Sequence, residues 1–129
     1  MTILIWCLII ATLLPTLAKA PVAYAQQKAG GYNNKHPRSQ QAQLEGFGAR
    51  ALAAHKNAYE SLTYIIPAFL LAMITNNTGN TFELLAITVV VSRVVFNVFY
   101  LINQDILRSL SWFVGIGCSI AMMVMCIPG

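Results

Sequence analysis

Four apolar stretches restrict what this chain can fold into. They run from Ile3 to about Tyr24, Leu62 to Ile74, Phe82 to about Ile102, and Leu110 to Ile127. A bilayer core takes about 20 apolar residues per helix. The second stretch is too short alone and reaches that length only if its helix starts near Leu44, carrying polar residues into the membrane interface. Inside lipid every backbone group must be bonded within its own segment, so each stretch is a helix and not an open strand. Composition agrees, with 9% charged and 57% hydrophobic residues, against about 25% charged in an ordinary soluble domain. So few charges cannot cover a water-soluble globule. Disorder is excluded because disordered chains lack the residues that dominate here. A nucleic-acid-binding role is excluded too: the net charge is +4, but the basic residues are few and not clustered with aromatics. The sequence therefore predicts one all-α domain over residues 1–129, an integral membrane four-helix bundle with spans at about 3–25, 44–75, 82–103 and 107–127. Short connections make sequential neighbours antiparallel.

The connections set the orientation. Gln26 to Gln43 is polar and carries Gly30-Gly31, Asn33-Asn34 and Pro37 as breakers. It is long for so small a bundle, which marks it for function or mobility. Asn76 to Asn80 and Asn103 to Asp105 are tight polar turns. Lys28, Lys35, Arg38, Arg50 and Lys56 gather at the first connection and the helix after it, and Arg108 follows the third. The second has no Lys or Arg. The positive-inside bias places the first and third connections in the cytoplasm. The short loops and compact chain suggest a multi-pass protein of a bacterial inner membrane. Ala23-Tyr24-Ala25 mimics a signal cleavage site, but no basic residue precedes the apolar run, so the first span is expected to be retained. Cys7, Cys118 and Cys126 fall inside spans and read as packing residues. No metal site is read from the sequence. Gly115 and Ser119 have the small-xxx-small spacing of a close helix contact.

Charged residues inside spans are costly and mark function. Arg93 lies near the middle of the third span, with Phe96, Asn97, Tyr100 and Gln104 within roughly a 100° arc. Val90, Val91, Val95 and Phe99 make the opposite, apolar face. On the second span Arg50, Ala53, Asn57, Glu60 and Tyr64 share roughly an 80° arc. His55 points nearly opposite and reads as a solvated or interfacial side chain, while Lys56 lies to one edge. Glu60 needs a partner, and the expected one is Arg93 in an ion pair. Two inward polar faces thus open toward the cytoplasmic end, where the fourth span begins at Arg108-Ser109. Several cations and one carboxylate suit an anionic ligand with an ammonium group. Arginine grips carboxylates through a planar fork, glutamate holds the ammonium, and an arginine beside a hydroxyl favours a thiolate. Glutathione has all of these groups, as do other zwitterionic anions.

The stretch from Arg50 through His55, Lys56 and Asn57 to Glu60 resembles the signature of the MAPEG family, the membrane-associated proteins in eicosanoid and glutathione metabolism. Arg93 to Tyr100 followed by Arg108-Ser109 resembles the third helix of that family and the start of its fourth. The resemblance implies a left-handed four-helix bundle that assembles as a homotrimer, with glutathione as co-substrate between subunits near the cytoplasmic side. It implies Asn57 and Glu60 on the glutathione backbone, Glu60 at its ammonium end and Tyr100 on the peptide. Arg108 would stabilise the thiolate with Ser109 beside it, making these two the catalytic pair. Arg50, Lys56 and Arg93 match basic positions of the family's binding site, and Lys28, Lys35 or Arg38 would complete it.

Three positions depart from the family pattern. Ala53 stands where many members carry a carboxylate-binding arginine, Phe96 where some carry a hydrogen-bonding side chain, and Trp112 where some carry tyrosine. Losing one arginine fork removes roughly 1.5–3 kcal/mol. Two readings follow. One is a glutathione transferase-like enzyme or peroxidase acting on lipophilic electrophiles that enter from the bilayer. The other is a non-catalytic ligand-binding or scaffold protein of the same fold.

Overall fold

The computed structural model describes residues 1–129 and is built only of helices. They are α1 (Thr2–Leu17), α2 (Lys19–Lys28), α3 (Pro37–Ala42), α4 (Phe47–Ile74), α5 (Asn80–Leu101) and α6 (Asp105–Met125). Four segments are long and apolar enough to cross a membrane: Thr2–Lys28, Phe47–Ile74, Asn80–Leu101 and Asp105–Met125. The chain is thus an integral, multi-pass four-helix bundle. The second span starts at Phe47, three residues later than the sequence predicts.

The first span is broken in two. Pro15 lies inside α1, and the helix stops at Leu17 before α2 restarts at Lys19. α1 runs on through Pro15, but Pro21 in the first turn of α2 has no N–H and crowds the carbonyl of Leu17 four residues back, which accounts for the break there. The Pro15 carbonyl lies 2.8 Å from Nδ1 of His55 on α4. A carbonyl only accepts, so Nδ1 carries the proton. His55, read from the sequence as a solvated or interfacial side chain, is half-buried and ties α4 to the region of the break.

Buried positions along α4 recur at three- and four-residue steps: Ala51, Ala54, Ala58, Ser61, Ile65, Ala68 and Ala72. On α5 the series Phe82, Ala86, Val89, Arg93 and Phe96 has the same spacing. Such spacing is the geometry of a left-handed bundle. Lipid tails are as apolar as the helices, so close van der Waals packing holds them together, and small residues allow it. Gly115 on α6 lies against Ser92 on α5, where an added Cβ would meet the Ser92 Oγ at 2.7 Å. The predicted close contact at Gly115 is present.

Leu4 and Ala11 from α1, Phe69 and Ala72 from α4, Phe82 and Ala86 from α5, and Met122 from α6 form the apolar core. All come from the end of the bundle that holds both chain termini. There the N-terminal ammonium lies 3.7 Å from Glu83, the only ion pair in the chain. The polar stripes occupy the other half.

Two turns follow one plan. Asn76 and Asn103 have φ of 57° and 61°, and asparagine tolerates this left-handed conformation well. Asn77 N–H donates to Ala72 O and Gln104 N–H to Phe99 O, closing each helix in a Schellman motif. The long first connection is ordered by Gln26 and Gln40. Gln26 is fully buried, and its Nε2 donates to the Pro37 carbonyl and to Gln40 Oε1. Gln40 Nε2 donates in turn to the carbonyls of Gln26 and Gly31.

Candidate functional site

Arg93 is the largest fully buried side chain, 1% exposed, at mid-height on α5. Its Nη2 donates to Asn57 Oδ1 and, at 3.4 Å, to the Asn57 carbonyl on α4. Asn57 Nδ2 donates to Glu60 Oε2 at 3.3 Å. Arg93 and Glu60 therefore do not form the expected ion pair; Asn57 stands between them as a relay. The reason is axial. Three residues of helix rise about 4.5 Å, and α4 and α5 cross with Asn57, not Glu60, level with the guanidinium. Glu60 remains exposed on the isolated chain.

The guanidinium also lies over Phe96, 4.3 Å from the ring centroid. Phe96 meets Tyr100 edge to face at 5.6 Å. Tyr100 carries Arg108 of α6 over its ring at 4.5 Å. Arg93, Phe96, Tyr100 and Arg108 thus form one continuous stack along α5 to the start of α6. Each cation over a ring contributes about 0.5–2 kcal/mol, more where water is excluded. Phe96, a departure from the family pattern, serves here as the platform for Arg93. The Schellman turn at Asn103 reverses the chain tightly enough to bring Arg108 back over Tyr100.

Arg50 completes this end of the bundle, with Nη2 3.4 Å from the Leu101 carbonyl at the α5 C-terminus. A cation there meets the negative end of the helix dipole. Arg108 is half-buried and Ser109 exposed, and both line a shallow hollow with Asp105 and Phe113.

Lys56 is placed elsewhere. It lines a cavity of about 380 Å³ with Arg38, Gln41, His55 and Tyr59 on another face of α4. Of the three basic residues of the first connection, Arg38 lies in that cavity. Lys28 lies over the Tyr24 ring, and Lys35 is exposed. Tyr64 lies beside Arg93, and its hydroxyl is buried without a hydrogen-bond partner, as are Nε and Nη1 of Arg93.

Six residues chosen from the sequence (Asn57, Glu60, Arg93, Tyr100, Arg108 and Arg50) therefore lie along α4, α5 and α6 from mid-bundle to the end that holds the α5–α6 turn. Phe96, noted as a departure, was also read on the same arc of its span as Arg93, and that position one helical turn away is the signal that marks it as part of the stack. The model of the MAPEG family matches residues 3–128 of the chain. The chain belongs to the MAPEG family. No curated protein and no solved structure matches it. Membership makes this MAPEG chain a membrane protein of the group concerned with glutathione and eicosanoid metabolism. Its four spans account for the lipid bilayer as its surroundings.

Proposed function

We propose that this MAPEG protein is a membrane-embedded glutathione-dependent transferase or peroxidase acting on lipophilic electrophiles. The observation that carries the reading is the alignment of Glu60, Asn57 and Arg93 with Phe96, Tyr100 and Arg108 from mid-bundle to the α5–α6 turn. It offers a carboxylate for an ammonium group and, farther along the bundle, a cation for a sulfur. Glutathione binds there with its ammonium at Glu60 and its thiol at Arg108. Arg50 adds positive charge for a carboxylate.

In the transferase reaction the thiol gives up its proton to water at the open end of the site. Arg108 favours the resulting thiolate because a nearby cation lowers the thiol pKa, and the Ser109 hydroxyl donates to the sulfur. The sulfur then bonds to the electrophilic carbon, and a leaving group such as halide departs with the electron pair. In the assembly we propose, a homotrimer, the cavity lined by Arg38, His55 and Lys56 belongs to the same site, contributed across the subunit boundary. The first and third connections face the cytoplasm.

The test is turnover of an aromatic halide by purified protein with glutathione. Wild type is expected to consume thiol and Arg108→Ala to lose most of that activity. No thiol-dependent turnover in wild type would overturn the enzymatic reading. A non-catalytic ligand-binding or scaffold role is favoured by one feature: no guanidinium stands at position 53 to fork a carboxylate. Calorimetry showing no heat at millimolar glutathione, with the assembly intact, would select it.

A further inference from the structure

Arg93 has the charge of a ligand-binding group but not the exposure. It is 1% exposed, and Phe96 covers one face of its guanidinium. No carboxylate pairs with it, because the chain's only ion pair joins the N-terminus to Glu83. Its only side-chain acceptor is Asn57. Nε and Nη1 are buried and make no well-formed hydrogen bond, although the Tyr64 hydroxyl lies beside the guanidinium. Both acceptors it does have, Oδ1 and the backbone carbonyl, belong to Asn57, so this buried cation leans on that one residue.

That dependence fixes Asn57. An asparagine amide has an accepting end and a donating end of nearly equal size, and its neighbours choose between the two orientations. A guanidinium only donates. Oδ1 must therefore face Arg93, and Nδ2 must face away. Glu60, one turn along α4, receives that Nδ2 hydrogen bond at 3.3 Å on Oε2. In a flipped amide Oδ1 would face the carboxylate, and the exposed Glu60 side chain would swing away, so the buried guanidinium is what holds the amide in this orientation.

We propose that Arg93 is a positioning residue: it sets the orientation of the Asn57 amide and, through it, holds the Glu60 carboxylate in place to receive an ammonium group. Arg93 touches no ligand. Its effect passes through two side chains and ends on one oxygen, Oε2, leaving Oε1 for the incoming N–H donors. The ligand arm of the test rests on the glutathione reading above; the ligand-free arm does not.

The ligand-free arm uses full-length protein in nanodiscs with ¹⁵N-labelled asparagine. In wild type, one Nδ2 proton of Asn57 is protected from exchange with water by Glu60. Arg93→Lys, still a donor-only cation, keeps that protection. Arg93→Gln can accept as well as donate, so it frees the amide and the protection falls. Exchange unchanged in Arg93→Gln overturns the proposal. Should Arg93→Gln fail to fold, Arg93→Met, which offers Asn57 no donor, is read in its place, and unchanged protection there overturns the proposal equally.

The ligand arm compares glutathione with its analogue lacking the α-amino group. Arg93→Gln is expected to weaken glutathione binding about ten- to a hundredfold, as for a lost charge-assisted contact. Binding of the des-amino analogue stays unchanged, and Arg93→Lys restores glutathione affinity. Equal loss for both ligands would mean a general structural role and would overturn the proposal. If wild type binds neither ligand while the exchange arm holds, the glutathione reading fails and the positioning of Glu60 stands.

Discussion

The guanidinium of Arg93 reaches the Asn57 side chain across the α4–α5 interface, and Asn57, not Glu60, is its partner. The bundle therefore buries one cation against a neutral amide. Replacing Asn57 by leucine leaves that charge with the Asn57 backbone carbonyl as its only acceptor. Losing a hydrogen bond to a buried charged group in this way costs about 1.5–3 kcal/mol. Asn57→Leu should lower the thermal unfolding midpoint in detergent, and the double variant with Arg93→Met should recover much of it because the orphaned charge is gone.

Helices α5 and α6 approach closely at Gly115, where an added Cβ would meet the Ser92 Oγ at 2.7 Å. Gly115→Ala should destabilise by about 1–3 kcal/mol, the usual range for overpacking. The Ser92 hydroxyl donates only to the Val89 carbonyl of its own helix, so it can be removed at little cost. Ser92→Ala should therefore rescue Gly115→Ala. Additive effects of the two changes would show that the contact does not limit the crossing.

Gln40 holds the first connection through four hydrogen bonds, two accepted by Oε1 and two donated by Nε2. Gln40→Leu keeps the bulk and removes all four. With a net worth of about 1 kcal/mol each at most, their loss should open the segment locally without unfolding the spans. Trypsin cleavage after Lys35 and Arg38 should quicken by about tenfold or more, while the unfolding midpoint of the whole protein moves little.

Tyr100 supports Arg108 with its ring, at 4.5 Å from the centroid. Tyr100→Phe keeps that surface and should leave thiol-dependent turnover near wild type. Tyr100→Leu removes it and should lower turnover by about two- to thirtyfold, the equivalent of 0.5–2 kcal/mol. A large loss already in Tyr100→Phe would assign the work to the hydroxyl instead.

The membrane location, the helical class and the four spans were legible in the sequence because each is a local property. Hydropathy over one segment decides whether its backbone can lie in lipid, and the polar runs from Asn76 and Asn103 mark the turns, whose left-handed geometry the structure supplied. The two inward polar stripes were legible for the same reason, since a helical wheel needs only one helix. The partner of Arg93 was not. Asn57 and Glu60 share a stripe, and only the height at which α4 crosses α5 chooses between residues about 4.5 Å apart along the axis. His55 points away from the stripe, so it could be placed only once the α1 break lay against it. Lys56 and Arg38 drew together because α3 folds back over α4, a long-range event that no spacing in the sequence records. The sequence alone determined which residues face inward at one end of a membrane bundle. The tertiary structure decided which of them meet, because helix crossing height and rotation come from packing along the whole length of the helices.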